Sequence, residues 1–270
     1  MTEFISLFYP PLMCLIGLII GSFLNVVIYR LPLMLYHDDA TAPALSLSWP
    51  ASHCPSCKKK VAKRDNIPVL SWLLLRGRCR HCQVPISVQY PLIEALTGVA
   101  FLLIALRYVP AYSEVQLGLF ALMFAILLCL SVIDIHHLLL PDPLVYLLLW
   151  SGLGASAMGY LPLPLADAVL GVIVSGCLLS TLRWGYQKIR RIEGLGCGDI
   201  KLFAAGSAWC GLEALPQLIL ASALLGILAH ILSALRRRRL KQPSPSEPPY
   251  FPFGPSIALA TLLLFHLALP

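Results

Sequence analysis

Charge is what this chain has least of. Only 12% of its 270 residues are Asp, Glu, Lys or Arg, while 58% are hydrophobic, and the mean hydropathy is +0.80. A soluble domain carries about 25% charged residues, so the composition excludes an ordinary water-exposed globule and implies lipid. Neither G-x-S-x-G nor H-E-x-x-H occurs, which leaves a serine elbow or a zinc-protease helix unsupported. No internal repeat is visible. A basic n-region is also missing: the first apolar segment is flanked by Glu3 and is too long for a cleaved signal. It reads as a retained span, with Gly21, Ser22 and Asn25 turned toward something polar.

What is present is a series of apolar runs. A span needs about 20 apolar residues to cross about 30 Å of hydrocarbon. Eight candidates stand out, at 11–28, 92–106, 115–133, 143–160, 165–182, 200–212, 215–235 and 253–269. The second and sixth are short, and the sixth has the length of a half-span. The fold class is therefore an all-α polytopic membrane protein with about eight transmembrane helices. The domain reading is a first helix at 1–29, a polar loop at 30–91 and a membrane core at 92–270.

The net charge of +7 has a positive-inside explanation. Basic residues gather in 30–80, in 183–191 and in 236–241, and with eight alternating spans all three fall on one side; Arg107 is the exception. Those loops are then cytoplasmic, and both termini face outward. The stretch 241–249 is rich in Pro and Ser and reads as a flexible loop.

Four of the nine cysteines, Cys54, Cys57, Cys79 and Cys82, have the spacing C-x2-C-x21-C-x2-C. Two such turns can present four thiolates tetrahedrally to one zinc ion, with no position left for substrate. A cytosolic loop keeps its thiols reduced, so the residues predict a structural metal that holds a zinc-ribbon-like loop between helices 1 and 2. Four free thiols, or a redox pair, are the alternatives. A nucleic-acid-binding module would need basic and aromatic residues interleaved on one face. The loop offers only Trp72 and the lysines 58–60, so no nucleic-acid partner is expected. Cys14, Cys129, Cys177 and Cys210 lie in spans, where a thiol acts as a small apolar group.

Ionisable groups in spans are costly, about 2.5 to 3.5 kcal/mol at the centre on insertion scales. Glu94 follows Pro91 and reads as a first-turn anion, Asp142 as an N-cap before Pro143, and Asp167 as a boundary residue. Asp134 and Asp199 are different. Asp134 ends a long apolar run, and a helix C-terminus disfavours an anion. Asp199 follows Gly194-Leu-Gly196-Cys-Gly198 and starts the next helix. Lys201 lies at i+2 and does not face it on a helix. The charge topology puts both aspartates at the cytoplasmic membrane edge, where each is the economical partner of the other. Two carboxyls that share a proton can activate water and protonate a leaving amine. A proton relay and ordinary capping remain open on these residues alone.

Six segments in order resemble the prepilin peptidases, or type IV leader peptidases, of the GxGD group of intramembrane aspartic proteases. They are Gly21-Ser-Phe-Leu-Asn-Val-Val-Ile-Tyr-Arg-Leu-Pro32, the cysteine loop with Asn66-Ile-Pro-Val-Leu-Ser-Trp72, Tyr90-Pro-Leu-Ile-Glu-Ala-Leu-Thr-Gly98, Asp134-Ile-His-His-Leu-Leu-Leu-Pro-Asp142, Gly196-Cys-Gly-Asp199-Ile-Lys-Leu202 and Pro252-Phe-Gly-Pro255. The resemblance implies a bacterial inner-membrane enzyme with Asp134 and Asp199 as its catalytic pair at the cytoplasmic face, and zinc on the four cysteines. It implies removal of the basic leader of type IV prepilins or type II secretion pseudopilins. It also implies N-methylation of the new N-terminal residue from S-adenosylmethionine. No fingerprint places a methyl-donor pocket. The family usually has a second Asp two residues after the first; His136 stands there, which favours Asp134 as the essential acid. The alternatives are a peptidase without methylation and, in another class, a proton-coupled transporter that uses the two aspartates as relay groups.

Overall fold

The structure, a computed structural model, describes residues 2–36, 46–109, 111–192, 194–239 and 251–269. The stretch 241–249 lies outside the described residues, as does the end of the basic run before it. Nine α-helices are present among the described residues: α1 (Thr2–Tyr36), α2 (Leu70–Leu74), α3 (Gln89–Tyr108), α4 (Glu114–His137), α5 (Asp142–Ala157), α6 (Leu165–Arg190), α7 (Cys197–Cys210), α8 (Leu215–Arg239) and α9 (Gly254–Ala268). Each of the eight apolar segments folds as a helix. By length and composition, α1, α3, α4, α6 and α8 can cross a membrane. The other three have 16, 14 and 15 residues, or about 21 to 24 Å at 1.5 Å per residue. An apolar run thus overstates helix length where a turn ends the helix early. After Ala157 the chain turns through Gly159 at φ +73°, although the apolar run continues to Tyr160.

The chain divides into two compact units, Met1–Ala125 and Ile126–Pro270. In the first unit, α1 lies along α3. A Cβ at Gly21 would sit 2.7 Å from the Glu94 Cα, and one at Gly17 would sit 2.7 Å from the Thr97 carbonyl oxygen. Glycine one turn apart lets the two backbones touch, the usual device where lipid supplies no hydrophobic drive. Asn25 Nδ2 donates to the Tyr90 carbonyl at 3.1 Å, so of the three residues Gly21, Ser22 and Asn25 it is Asn25 that faces polar backbone, while Gly21 serves the close packing.

The polar loop between α1 and α3 is tied at both ends. The buried Arg30 guanidinium donates to the carbonyls of Ser46, Leu47 and Pro50 at 2.8, 3.4 and 2.6 Å. Glu94 accepts from the Val69 N–H at 2.7 Å. This corrects the first-turn reading of Glu94: α3 starts two residues before Pro91, so Glu94 lies one turn deeper and is fixed by a loop amide.

In the second unit, α7 touches α5, α6, α8 and α9, and eight of its residues are buried. Trp209 Nε1 donates to the Leu148 carbonyl of α5 at 2.9 Å. Gly152 leaves room for the indole, since a Cβ there would lie 2.7 Å from it. A short helix enclosed by four others is held by its neighbours rather than by its own length.

Candidate active site and metal centre

The cysteine loop is built from two copies of one backbone turn. In the first, Lys58 N–H donates to the Cys54 carbonyl, Cys54 N–H to Lys59 and Val61 N–H to Ser52. In the second, Gln83 N–H donates to the Cys79 carbonyl, Cys79 N–H to Val84 and Ile86 N–H to Gly77. The bridges His53–Lys60 and Arg78–Pro85 take the same relative positions. Lys58 and Gln83, each just after the second cysteine of its pair, are both left-handed, at φ 57° and 59°. The turns repeat in hydrogen bonding, not in residue identity beyond the cysteines, so the repeat was invisible in the sequence.

The two turns bring all four sulfurs within 4.8 Å of one another. Cys54 and Cys82 Sγ lie 3.7 Å apart. A tetrahedron with zinc–sulfur arms of about 2.3 Å has edges of about 3.8 Å, so this group can hold a metal ion of that size. The amides of Cys82 and His81 pull the Cys79 thiol down to about 6. Those of Cys57 and Ser56 lower Cys54. At Cys82 the Val84 amide acts the same way but is outweighed by burial and neighbouring thiols, which push it up to about 11. Backbone donors aimed at sulfur favour the thiolate that a metal needs. Trp72 braces the module: its Nε1 donates to the Ile86 carbonyl at 3.2 Å.

Asp134 lies in the last turn of α4, as its sequence position indicated, and is buried. What the sequence did not reveal is its partner. Gly254 N–H, at the start of α9, donates to Asp134 Oδ2 at 2.8 Å. The first amides of a helix have no intrahelical acceptor and suit an anion. The carboxyl at the end of one helix is thus served by the beginning of another. The signal in the sequence was Pro252-Phe-Gly-Pro255, which carried a family resemblance but named no partner for Asp134. Gly254 is needed for the approach, since a Cβ there would meet Asp134 Oδ2 at 2.8 Å and Leu140 at 3.0 Å.

Asp199 is the third residue of α7, after the N-cap Gly196. Its carboxylate bends back over that cap: a Cβ at Gly196 would lie 2.7 Å from Asp199 Oδ2, and the Gly196 amide acts on the carboxyl. An acidic N3 side chain turned toward the N-cap has the placement of the return half of a capping box. The Gly-x-Gly-Asp spacing therefore sets Asp199 on the first turn. Asp134 is near enough for its charge to act on Asp199. Leu140 fills the space beside both: it would meet a Cβ on Gly198 as well as on Gly254.

The remaining charged residues sort themselves. Lys201 Nζ donates to both carboxylate oxygens of Asp142 at 2.7 and 2.8 Å. Asp142 is the first helical residue of α5, with Pro141 as N-cap, which corrects its reading as the cap itself. Asp167 lies in the first turn of α6. His136 is exposed on the last turn of α4.

Comparison with known proteins follows the same division of the chain. The profile of the bacterial peptidase A24 N-terminal domain matches residues 15–108, and that of the type IV leader peptidase family matches residues 121–231. A protein of Escherichia coli O78:H11 named type 4 prepilin-like proteins leader peptide-processing enzyme is 40% identical over 266 residues, covering 96% of this chain and 94% of its own. The prepilin leader peptidase/N-methyltransferase of Aeromonas hydrophila is 41% identical, covering 93% and 88%. That of Neisseria gonorrhoeae is 38% identical, covering 97% and 91%. No solved structure matches. With both profiles in register and relatives of this identity along nearly its whole length, the chain belongs to the type IV leader peptidase family.

Proposed function

We propose that this protein is a membrane aspartic endopeptidase that removes the leader of type IV prepilins or type II secretion pseudopilins and N-methylates the residue it exposes. Family membership supports the activity. The observation that carries the site is the convergence of Asp134 and Asp199 from two helix ends, each beside a helix-starting amide. In the reaction, the ionised carboxyl of the pair takes a proton from water as its oxygen attacks the scissile carbonyl carbon. The protonated carboxyl then gives its proton to the leaving nitrogen as the C–N bond breaks. S-adenosylmethionine supplies the methyl group for the second activity. A transporter reading has no such support from the relatives.

In this reading the four cysteines hold a structural zinc. Residues 30–91 are a cytoplasmic zinc loop, and 92–270 carry the peptidase core. The enzyme crosses the bacterial inner membrane several times, with its termini outward and the aspartates at the cytoplasmic face. The basic loops support that orientation.

The test is direct. Purified full-length protein, reconstituted in bilayers, is incubated with a prepilin with and without S-adenosylmethionine, and the product is weighed. The expected products are the trimmed chain, and the trimmed chain plus one methyl group. An uncut prepilin would overturn the peptidase assignment, and an unmethylated product with the donor present would overturn the methyltransferase half.

A further inference from the structure

Among the described residues, the most exposed apolar side chain of the polar loop is Leu74, at 81%, with Leu70 and Leu73 at 58% and 57%. All three are on α2, and positions i, i+3 and i+4 share one helical face. The opposite face is committed to the loop. Ser71 is buried and its hydroxyl donates to the Arg64 carbonyl at 3.1 Å, while Trp72 is held by Ile86. The three leucines are therefore the outward side of a fixed helix, not a frayed segment.

Their depth follows from Glu94. The residue just before α2, Val69, gives its amide to Glu94 Oε2 at 2.7 Å. Glu94 lies five residues into α3, a helix long and apolar enough to span. Five residues amount to about 8 Å of helix. A bond between Val69 and this carboxylate pins α2 beside the first turns of a spanning helix. An interfacial helix lies with its apolar face about 5 to 10 Å into the headgroup–acyl boundary, a depth of the same order as this offset along α3. Exposed Arg64 and Arg76 flank the helix, and cations beside an apolar interfacial face suit anionic headgroups.

We infer that α2 is an interfacial anchor, whose Leu70, Leu73 and Leu74 enter the lipid surface of an anionic bilayer and hold the cysteine loop against it. The inference is independent of the peptidase reading. A bilayer is the occupant because the tether runs to a spanning helix. A second copy of the chain or a substrate would have to displace the lipid already at that level.

The full chain, carrying benzoylphenylalanine in place of Leu74 or, separately, Leu70, is placed in nanodiscs of phosphatidylethanolamine and phosphatidylglycerol and irradiated. A third variant carries the label at Lys59, an exposed residue of the first cysteine turn. Two label sites on α2 guard against one variant failing to fold, and each is used if it elutes as the unlabelled chain does. Lipid adducts at 74 and 70 are expected at least about tenfold above those at 59. Equal labelling at all three sites would overturn the anchor, as would adducts at 74 and 70 to a second chain or to added prepilin instead of lipid.

Discussion

Lys201 lies two residues from Asp199 in sequence, yet its ammonium contacts both carboxylate oxygens of Asp142. The pair joins the first residue of α5 to the second turn of α7 and is partly exposed, a setting in which an ion pair contributes about 0 to 1 kcal/mol. Lys201→Met and Asp142→Asn are therefore expected to keep measurable cleavage, within roughly fivefold of the parent. His136→Ala should also retain it. Leader release followed by mass spectrometry checks all three. A loss at Lys201→Met as deep as that of Asp199→Asn would show that the lysine serves the aspartate after all.

Asp134→Asn and Asp199→Asn should each lower cleavage by about 10²- to 10⁴-fold or more, the usual contribution of a positioned acid or base. An Asn side-chain oxygen can still accept from Gly254 N–H at position 134. Membrane insertion and helix content should therefore persist. Initial rates, with circular dichroism on the same samples, separate the two effects.

The glycines beside the carboxyls give a steric prediction. Gly254→Ala would set a methyl group 2.8 Å from Asp134 Oδ2, and Gly196→Ala would set one 2.7 Å from Asp199 Oδ2. Each must push a carboxyl away, and a displacement of about 1 Å can cost about 10²-fold in rate. Both variants should lose much of kcat with little change in KM. Steady-state kinetics on a prepilin would detect it, and an unchanged kcat in both would remove the close approach from the account of the site.

The cysteine loop should bind about one zinc per chain, since its four thiols make a closed tetrahedral set. Cys57→Ser should lose the metal. Chelation should let trypsin cut at the already exposed lysines 58–60, because the metal, rather than a core, keeps the turn rigid. Elemental analysis and the digestion pattern measure these outcomes, and native protein without bound metal would refute the zinc assignment.

The parts of the site legible in the sequence were the local ones. A charge at the end of an apolar run and a glycine-rich entry to a second charge are features of a few consecutive residues. So is the paired cysteine spacing. The missing parts depend on contacts distant in the chain: the Gly254 amide reaches Asp134 across 120 positions, and Val69 reaches Glu94 across 25. Residue patterns also hid the doubled cysteine turn, whose likeness resides in carbonyls and amides. The helix count was readable, and so was the shortness of α7, but not that α5 and α9 would also be short. Apolar composition reports solvent preference, while a left-handed residue or a cap sets where a helix stops.

Asp199 does two jobs with one carboxyl. At rest it lies over Gly196, in the first turn of α7. In the proposed reaction it must turn outward toward water or the scissile bond. An anion in the first turn of a helix contributes about 0.3 to 1 kcal/mol, so each turnover loosens the element that presents the group. The enzyme's thermal resistance and its speed are then set against each other at a single side chain. A variant that capped α7 more firmly would melt later and cut more slowly.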